Sequence, residues 1–210
     1  MKNKKKFSQD YYSLINEYKY AHKNGIQKKN FFLSNSITFD GKSLEPWIKN
    51  IKKIIDNTDS KSILDYGCGK AKYYNNRIQI DSLEYNGLSD YWGIDETKLF
   101  DPGVEEYESY PNKKYDGVIC TDVLEHIYKA DLDSVVKDIF SFSKKFVFFV
   151  ISTSLDKKIL SSGRNVHQTV KNEEWWEKFF LEAKYNFSKI SCYVILTNLG
   201  NNSDQTKRII

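Results

Sequence analysis

Two short segments of this chain hold residues whose types and spacing could do chemistry. In the first, Ser62, Ile63 and Leu64 run into Asp65, after which Gly67 and Gly69, with Cys68 between them, let the backbone turn sharply and come close to a ligand. The pattern predicts a strand, a tight turn and a helix start. Unpaired N–H groups at a helix start suit a carboxylate or phosphate, and Asp65 suits a cation or a hydroxyl donor. A small, polar ligand, zwitterionic or nucleotide-like, follows from that pairing. In the second segment, Tyr115 to Thr121 is apolar and β-branched, which predicts a buried strand, and Asp122, Glu125 and His126 follow it. Ligands of open α/β sheets bind at the carboxyl ends of strands, so both segments are expected on one rim.

The glycine turn does not fit the commonest nucleotide loops. A dinucleotide fingerprint, G-x-G-x-x-G, would place glycine where Lys72 stands, and no Walker sequence is present. What remains, an acid two residues before the first glycine and then G-x-G-x-A, resembles motif I of the class I S-adenosylmethionine-dependent methyltransferases. The stretch from Tyr115 to Ile127, ending Thr-Asp-Val-Leu-Glu-His-Ile, is similar to the one that follows their fourth strand. The resemblance covers residues 10 to about 180, with 70 to 98 matching least. It implies a single doubly wound, Rossmann-like α/β sheet and S-adenosylmethionine as cofactor, held by Asp65, Gly67, Cys68, Gly69, Asp101, Thr121 and Asp122.

Asp101 is the preferred ribose acid because Leu99-Phe100-Asp101-Pro102-Gly103 resembles the second strand of one subgroup, although it stands 36 residues beyond Asp65. Asp95 is the alternative. Too few residues separate Asp101 from Asp116 for a helix and a third strand, so the fold is expected to be trimmed there.

Methyl transfer asks mainly for in-line positioning and exclusion of water, with a base where the acceptor is protonated. His126, one helical turn beyond Asp122, and His167, in the loop Gly163-Arg164-Asn165-Val166-His167, are the candidate bases. Arg164 and Asn165 could clamp an acidic acceptor, and His22 with Phe39 to Ser43 could close over the cofactor. Each also has a plain alternative as a cap, a packed side chain or a loop tie. Of the adjacent Trp175 and Trp176, at most one can face the core squarely, and the other could wall the acceptor pocket.

The acceptor is narrowed by exclusion. Thr121-Asp122-Val123-Leu124 replaces the [DNS]-P-P-[YFW] motif of amino-methylating nucleic-acid enzymes, and no proline precedes Cys120. Beyond residue 6 the chain has 28 basic and 28 acidic side chains, Lys2, Lys4, Lys5 and Lys6 accounting for the formal +4. A neutral body disfavours nucleic acid. A small molecule, or a sugar or carboxylic acid on a carrier, is the expected acceptor, with O-methylation ahead of N-methylation. A cofactor-binding protein without chemistry and a nicotinamide-dependent reductase are the competing readings.

The elements that must position these residues alternate as in a doubly wound sheet. Helical spacing links Tyr11, Leu14, Ile15 and Tyr18; Ser43 could cap a second helix through Trp47 and Ile55. Further on come a helix near Leu132 to Phe142, a strand from Lys145 to Ile151, a helix Glu173 to Lys184 capped by Asn172, and final strands from Phe187 to Leu196. The organisation expected is a disordered basic tail (1–9), a helical lid (10–60), the main domain (61–200) and a tail (201–210). Three unpaired cysteines argue for a reducing cytoplasm and no apolar stretch is of membrane-spanning length, while three histidines far apart in sequence argue against a metal. Oligomeric state is not legible.

Overall fold

In the computed structural model, which describes residues 7–197, the apolar runs lie side by side as five parallel strands. The chain begins with α1 (Gln9–Asn24), passes through β1 (Ile26–Lys28), β2 (Phe31–Leu33) and two 3-10 turns, and reaches α2 (Ile48–Thr58). Next come β3 (Ser62–Tyr66), a one-turn α3 (Lys72–Asn75), the hairpin β4 (Ile78–Ile80) and β5 (Leu83–Tyr85), α4 (Leu88–Trp92) and β6 (Glu96–Phe100). The second half supplies β7 (Tyr115–Thr121), α5 (Lys129–Phe142), β8 (Ser143–Ser152), β9 (Lys158–Ile159), α6 (Glu173–Lys184) and β10 (Ser191–Thr197). The main sheet has the order β10-β8-β7-β3-β6, parallel throughout. This is the α/β, Rossmann-like architecture expected from the sequence.

Alternation along β8 shows why the sheet is wound on both faces. Phe146, Phe148 and Val150 join Ile48, Ile51, Ile55 and Trp92 of α2 and α4, while Val147, Phe149 and Ile151 join Leu132, Val136, Trp176 and Phe180 of α5 and α6. Successive strand residues point to opposite faces, so a strand apolar at every position needs cover on both. Tyr11 of α1 lies on the α5–α6 side, fixed by Ser8, whose N–H and hydroxyl donate to the Asp131 carboxylate at 2.8 and 2.6 Å. Trp92 is 1 % exposed, and its indole N–H reaches the Ile48 carbonyl at 3.0 Å, joining α4 to α2.

Several boundaries differ from expectation. Phe7 and Ser8, placed in the basic tail, are ordered: Phe7 stacks on Tyr11 at 4.3 Å and Ser8 caps α1. Residues 1–6 and 198–210 lie outside the described residues. The 10–60 lid is not all helix, because β1 pairs with β2 and with β9, strapping it to the loop after β8. Ser43 does not cap α2; it lies inside a 3-10 helix, Lys42–Trp47, whose cap is Gly41. One strand, β10, replaces the several drawn from Phe187 onward, since Tyr185–Phe187 closes as a 3-10 turn. At the other edge the trimming holds: among the described residues no strand lies beyond β6. None of their helices is long and apolar enough to cross a membrane.

Gly117 shows how tightly the sheet is covered. A Cβ there would stand 2.2 Å from Cζ of Phe146 and 2.8 Å from Cδ1 of Ile63. Gly117→Ala is expected to cost about 1–3 kcal/mol through overpacking, read as a lower denaturation midpoint at unchanged m-value.

Candidate functional site

At the carboxyl ends of β3, β6 and β7 the chain must turn, and the turns meet in a cavity of about 350 Å³. Its floor includes Gly67, Gly69, Asp101, Thr121 and Asp122, and its roof is formed by α1 and the segment from Leu33 to Ser43. That volume is in the range of small-molecule and cofactor sites, about 300–1,000 Å³. Cys68 and Asp65 line a smaller recess that shares Gly41, Gly67 and Thr121 with the cavity.

The glycine turn is left-handed at Gly67 (φ +89°) and Gly69 (φ +54°). Its bareness serves the protein's own packing. A Cβ on Gly67 would meet Val123 Cγ2 at 2.3 Å, and one on Gly69 would meet the Phe39 carbonyl oxygen at 2.3 Å. The expectation of a helix start with free N–H groups fails. Gly67 donates to Phe100 O at 2.7 Å, Gly69 to Asp101 Oδ2 at 2.9 Å and Lys70 to Phe39 O at 3.1 Å, and α3 is a single turn. An anion therefore gains no row of unpaired amides here.

Asp65 is 3 % exposed, and its Oδ1 has no hydrogen-bond partner. Burial raises its carboxyl to about 7; the Tyr74 hydroxyl opposes the rise and the Asp101 charge adds to it. Asp101 follows β6 directly. Its two oxygens accept from Gly69 and Gly103 N–H, and burial raises its carboxyl. Asp95, the alternative, stands exposed before β6, at the strand's opposite end.

Asp122 adopts a left-handed backbone (φ +60°) at the end of β7, which swings the chain into the 3-10 turn Leu124–His126. His126 lines the cavity, and burial lowers its imidazole to about 3, so the ring is neutral. His167 comes to it from 41 residues away, with ring centroids 4.8 Å apart, edge to face. Sequence distance had argued against such clustering. One donor atom each from Asp122, His126 and His167 lies within 4.8 Å of the others. Glu125, fully buried, donates no chemistry to the cavity wall: its Oε1 accepts from Ser152 N–H, while Oε2 has no partner. Burial and then the Asp122 charge raise its carboxyl.

Hydrogen bonds assign both histidine tautomers. Tyr18 Oη, with one proton, donates it to the Val166 carbonyl at 2.8 Å, so its 2.8 Å contact with His126 Nδ1 requires the proton on that nitrogen. His167 Nδ1 stands 2.5 Å from the Ser154 carbonyl, an acceptor only, and is likewise protonated. Both lone pairs are on Nε2.

Of the other candidates, His22 lines the cavity against Phe39 with its imidazole lowered to about 4 by burial, and its Nδ1 lacks a partner. Arg164 and Asn165 do not line it. Arg164 pairs with Glu17 and lies over Tyr128, and Asn165 ties its loop by accepting from His167 N–H at 2.9 Å and donating to Asp156 O at 2.6 Å. Trp175 stacks on Phe179 at 5.3 Å, away from the cavity, and Trp176 fills the core. Sequence reading missed several cavity residues, among them Tyr18, Lys28, Val123 and Lys158. Tyr18 carried only the helical period of α1, and nothing in Lys158 announced that β9 would place its ammonium 4.8 Å over the Phe39 ring.

A family model described as a methyltransferase domain matches residues 39–199, most of the chain. No curated protein and no solved structure matches it.

The raised Asp65 carboxyl sets a pH dependence in the ligand-free protein. Its unfolded value is near 3.8 and its folded value about 7, so the native state holds the extra proton. The associated stability is complete below about pH 4 and is lost as pH rises through about 7, at up to about 1.4 kcal/mol per unit. Between pH 5 and 8 the wild type should lose on the order of 2 kcal/mol more than Asp65→Asn in chemical denaturation. Equal losses would show that Asp65 is ionised in the native state throughout.

Proposed function

The chain belongs to the methyltransferase domain family, and on that footing we propose that it transfers a methyl group from S-adenosylmethionine to an oxygen of a small or carrier-linked acceptor. The observation that carries this reading is the buried Asp65 carboxylate, with only the Tyr74 hydroxyl to stabilise its charge and its Oδ1 beyond hydrogen-bond distance of any donor, beside a cofactor-sized cavity at the ends of three adjacent parallel strands. S-adenosylmethionine brings an ammonium, a carboxylate, a ribose diol and an adenine. An ammonium near Asp65 would satisfy the orphan oxygen and favour its ionised form. Asp101, already holding Gly69 and Gly103 in place, is the acid assigned to the ribose. Because the turn's amides are occupied, the cofactor carboxylate falls to the cationic side chains of the cavity, Lys28, Lys42 or Lys158.

The bound cofactor supplies an electrophilic methyl on a sulfonium. This chain's residues hold the acceptor in line and keep water out, for which the roof of α1 and the Leu33–Ser43 segment is placed. Asp122, His126 and His167 form the acceptor end. Asp122 and His126, which line the cavity, present the carboxylate and the Nε2 lone pair through which an acceptor hydroxyl would lose its proton, and His167 packs on His126 from outside the lining. Arg164 and Asn165 serve the loop that brings His167 in, rather than the acceptor itself.

S-adenosylhomocysteine is expected to raise the melting temperature, with about 2.7 kcal/mol of linked stability at one hundred times Kd, while NADH has no effect. Asp101→Ala should weaken S-adenosylhomocysteine at least tenfold by calorimetry, since the carboxylate and the turn it holds are lost together. Unaltered affinity in that variant would remove Asp101 from the cofactor site, and no response of the wild type to S-adenosylhomocysteine would end the reading.

A further inference from the structure

The histidine pair has a feature that proton transfer does not need. His167 is 5 % exposed, does not line the cavity itself, and its Nε2 makes no hydrogen bond, the Asp156 carboxylate standing 3.9 Å away. An unmade hydrogen bond at a buried polar atom costs about 1–3 kcal/mol. Edge-to-face packing on His126 offsets little of that. One ligand atom each from Asp122, His126 and His167 converges there, with Glu125 beside Asp122 and Lys158 the cationic side chain near enough to act on His126.

We propose that Asp122, His126 and His167 bind one divalent transition-metal ion, zinc by preference, with its remaining positions open to the cavity. Two imidazole nitrogens and one carboxylate oxygen with an open position are a donor set of catalytic zinc and non-haem iron sites. One ligand atom from each side chain lies within 4.8 Å of the others, whereas bonds of about 2.1 Å in a tetrahedral site put donors about 3.4 Å apart, so binding draws the three side chains closer. The second shell is already built. Metal-binding histidines present one nitrogen and fix the ring by donating from the other, which His167 does to the Ser154 carbonyl and His126 does to Tyr18 Oη, itself anchored on Val166. Backbone contacts fix the unit as well: Gln168 and Thr169 N–H both donate to the Glu125 carbonyl, at 2.8 and 2.9 Å, clamping the His167 loop to the His126 turn.

Binding of the ion stands on these residues alone; its use in catalysis rests on the methyl-transfer reading. With an ion bound the Nε2 lone pairs are ligands and no longer take the proton, so an acceptor hydroxyl on the open position would pass it to the free oxygen of the Asp122 carboxylate and attack the methyl carbon. The carbon–sulfur bond then breaks with its electron pair left on sulfur, giving the methyl ether and neutral S-adenosylhomocysteine.

The test uses the untagged full chain stripped with chelator, titrated with Zn²⁺ by calorimetry and with Co²⁺ by visible absorption. One ion per chain is expected. His167→Ala should weaken it at least a hundredfold while leaving S-adenosylhomocysteine affinity within about twofold, and Tyr18→Phe should weaken it about tenfold, the range of second-shell losses. Should His167→Ala fail to fold, Tyr18→Phe and Asp122→Asn carry the comparison. Absence of saturable binding, or binding indifferent to these substitutions, overturns the metal site. S-adenosylhomocysteine titrated into the same samples separates the two readings: ion without cofactor sinks the cofactor assignment, and cofactor without ion sinks the metal.

Discussion

A parallel sheet buried on both faces leaves its polar chemistry nowhere to reside but its ends. In β7 and β8 nearly every side chain is packed, one set under α2 and α4 and the other under α5 and α6, so no strand position in the middle of the sheet can hold a solvated group. The carboxyl ends are different. There the backbone leaves the sheet at Gly67, Asp101 and Asp122, each turn exposes its side chain or its lack of one, and three neighbouring strands bring the turns within one cavity. The positive φ angles at Gly67, Gly69 and Asp122 are part of how sharply those exits are made.

The cavity is closed by the chain's own beginning. The Phe39 carbonyl accepts from Lys70, and Asp40 O accepts from Lys72 at 3.1 Å, so the Leu33–Ser43 segment is hydrogen-bonded onto the glycine turn instead of lying loosely over it. β1 completes the attachment by pairing with β9, which makes the roof and the loop after β8 one unit. This docking explains why Gly69 tolerates no Cβ, and also why the turn has no amides to spare. A ligand in this cavity would meet side chains, among them Lys28, Lys42 and Lys158.

Charge is distributed in the site by burial more than by pairing. Asp65, Asp101 and Glu125 are all raised chiefly by loss of solvent, and His126 and His22 are lowered for the same reason. Such a site favours neutral forms when empty and rewards any ligand that brings compensating positive charge. The ammonium and the dication proposed above would supply it at Asp65 and at Asp122.

The sequence by itself determined what repeats or punctuates locally. The apolar run of β7 was legible to the residue, the Asn172 cap and α6 likewise, because side-chain period and capping chemistry act over a few neighbouring residues. Asp65, Gly67 and Asp122 were legible as residues at the carboxyl ends of strands because strand ends and glycine turns signal themselves. The short strands β1, β2 and β9 were not, since two or three residues carry no period and are strands only through their partners. Only the tertiary structure decided that Arg164 and Asn165 serve the loop, and that His126 and His167 stand edge to face across 41 residues of chain. Contacts of that kind depend on where a loop is tied down in space, and no spacing along the chain encodes it.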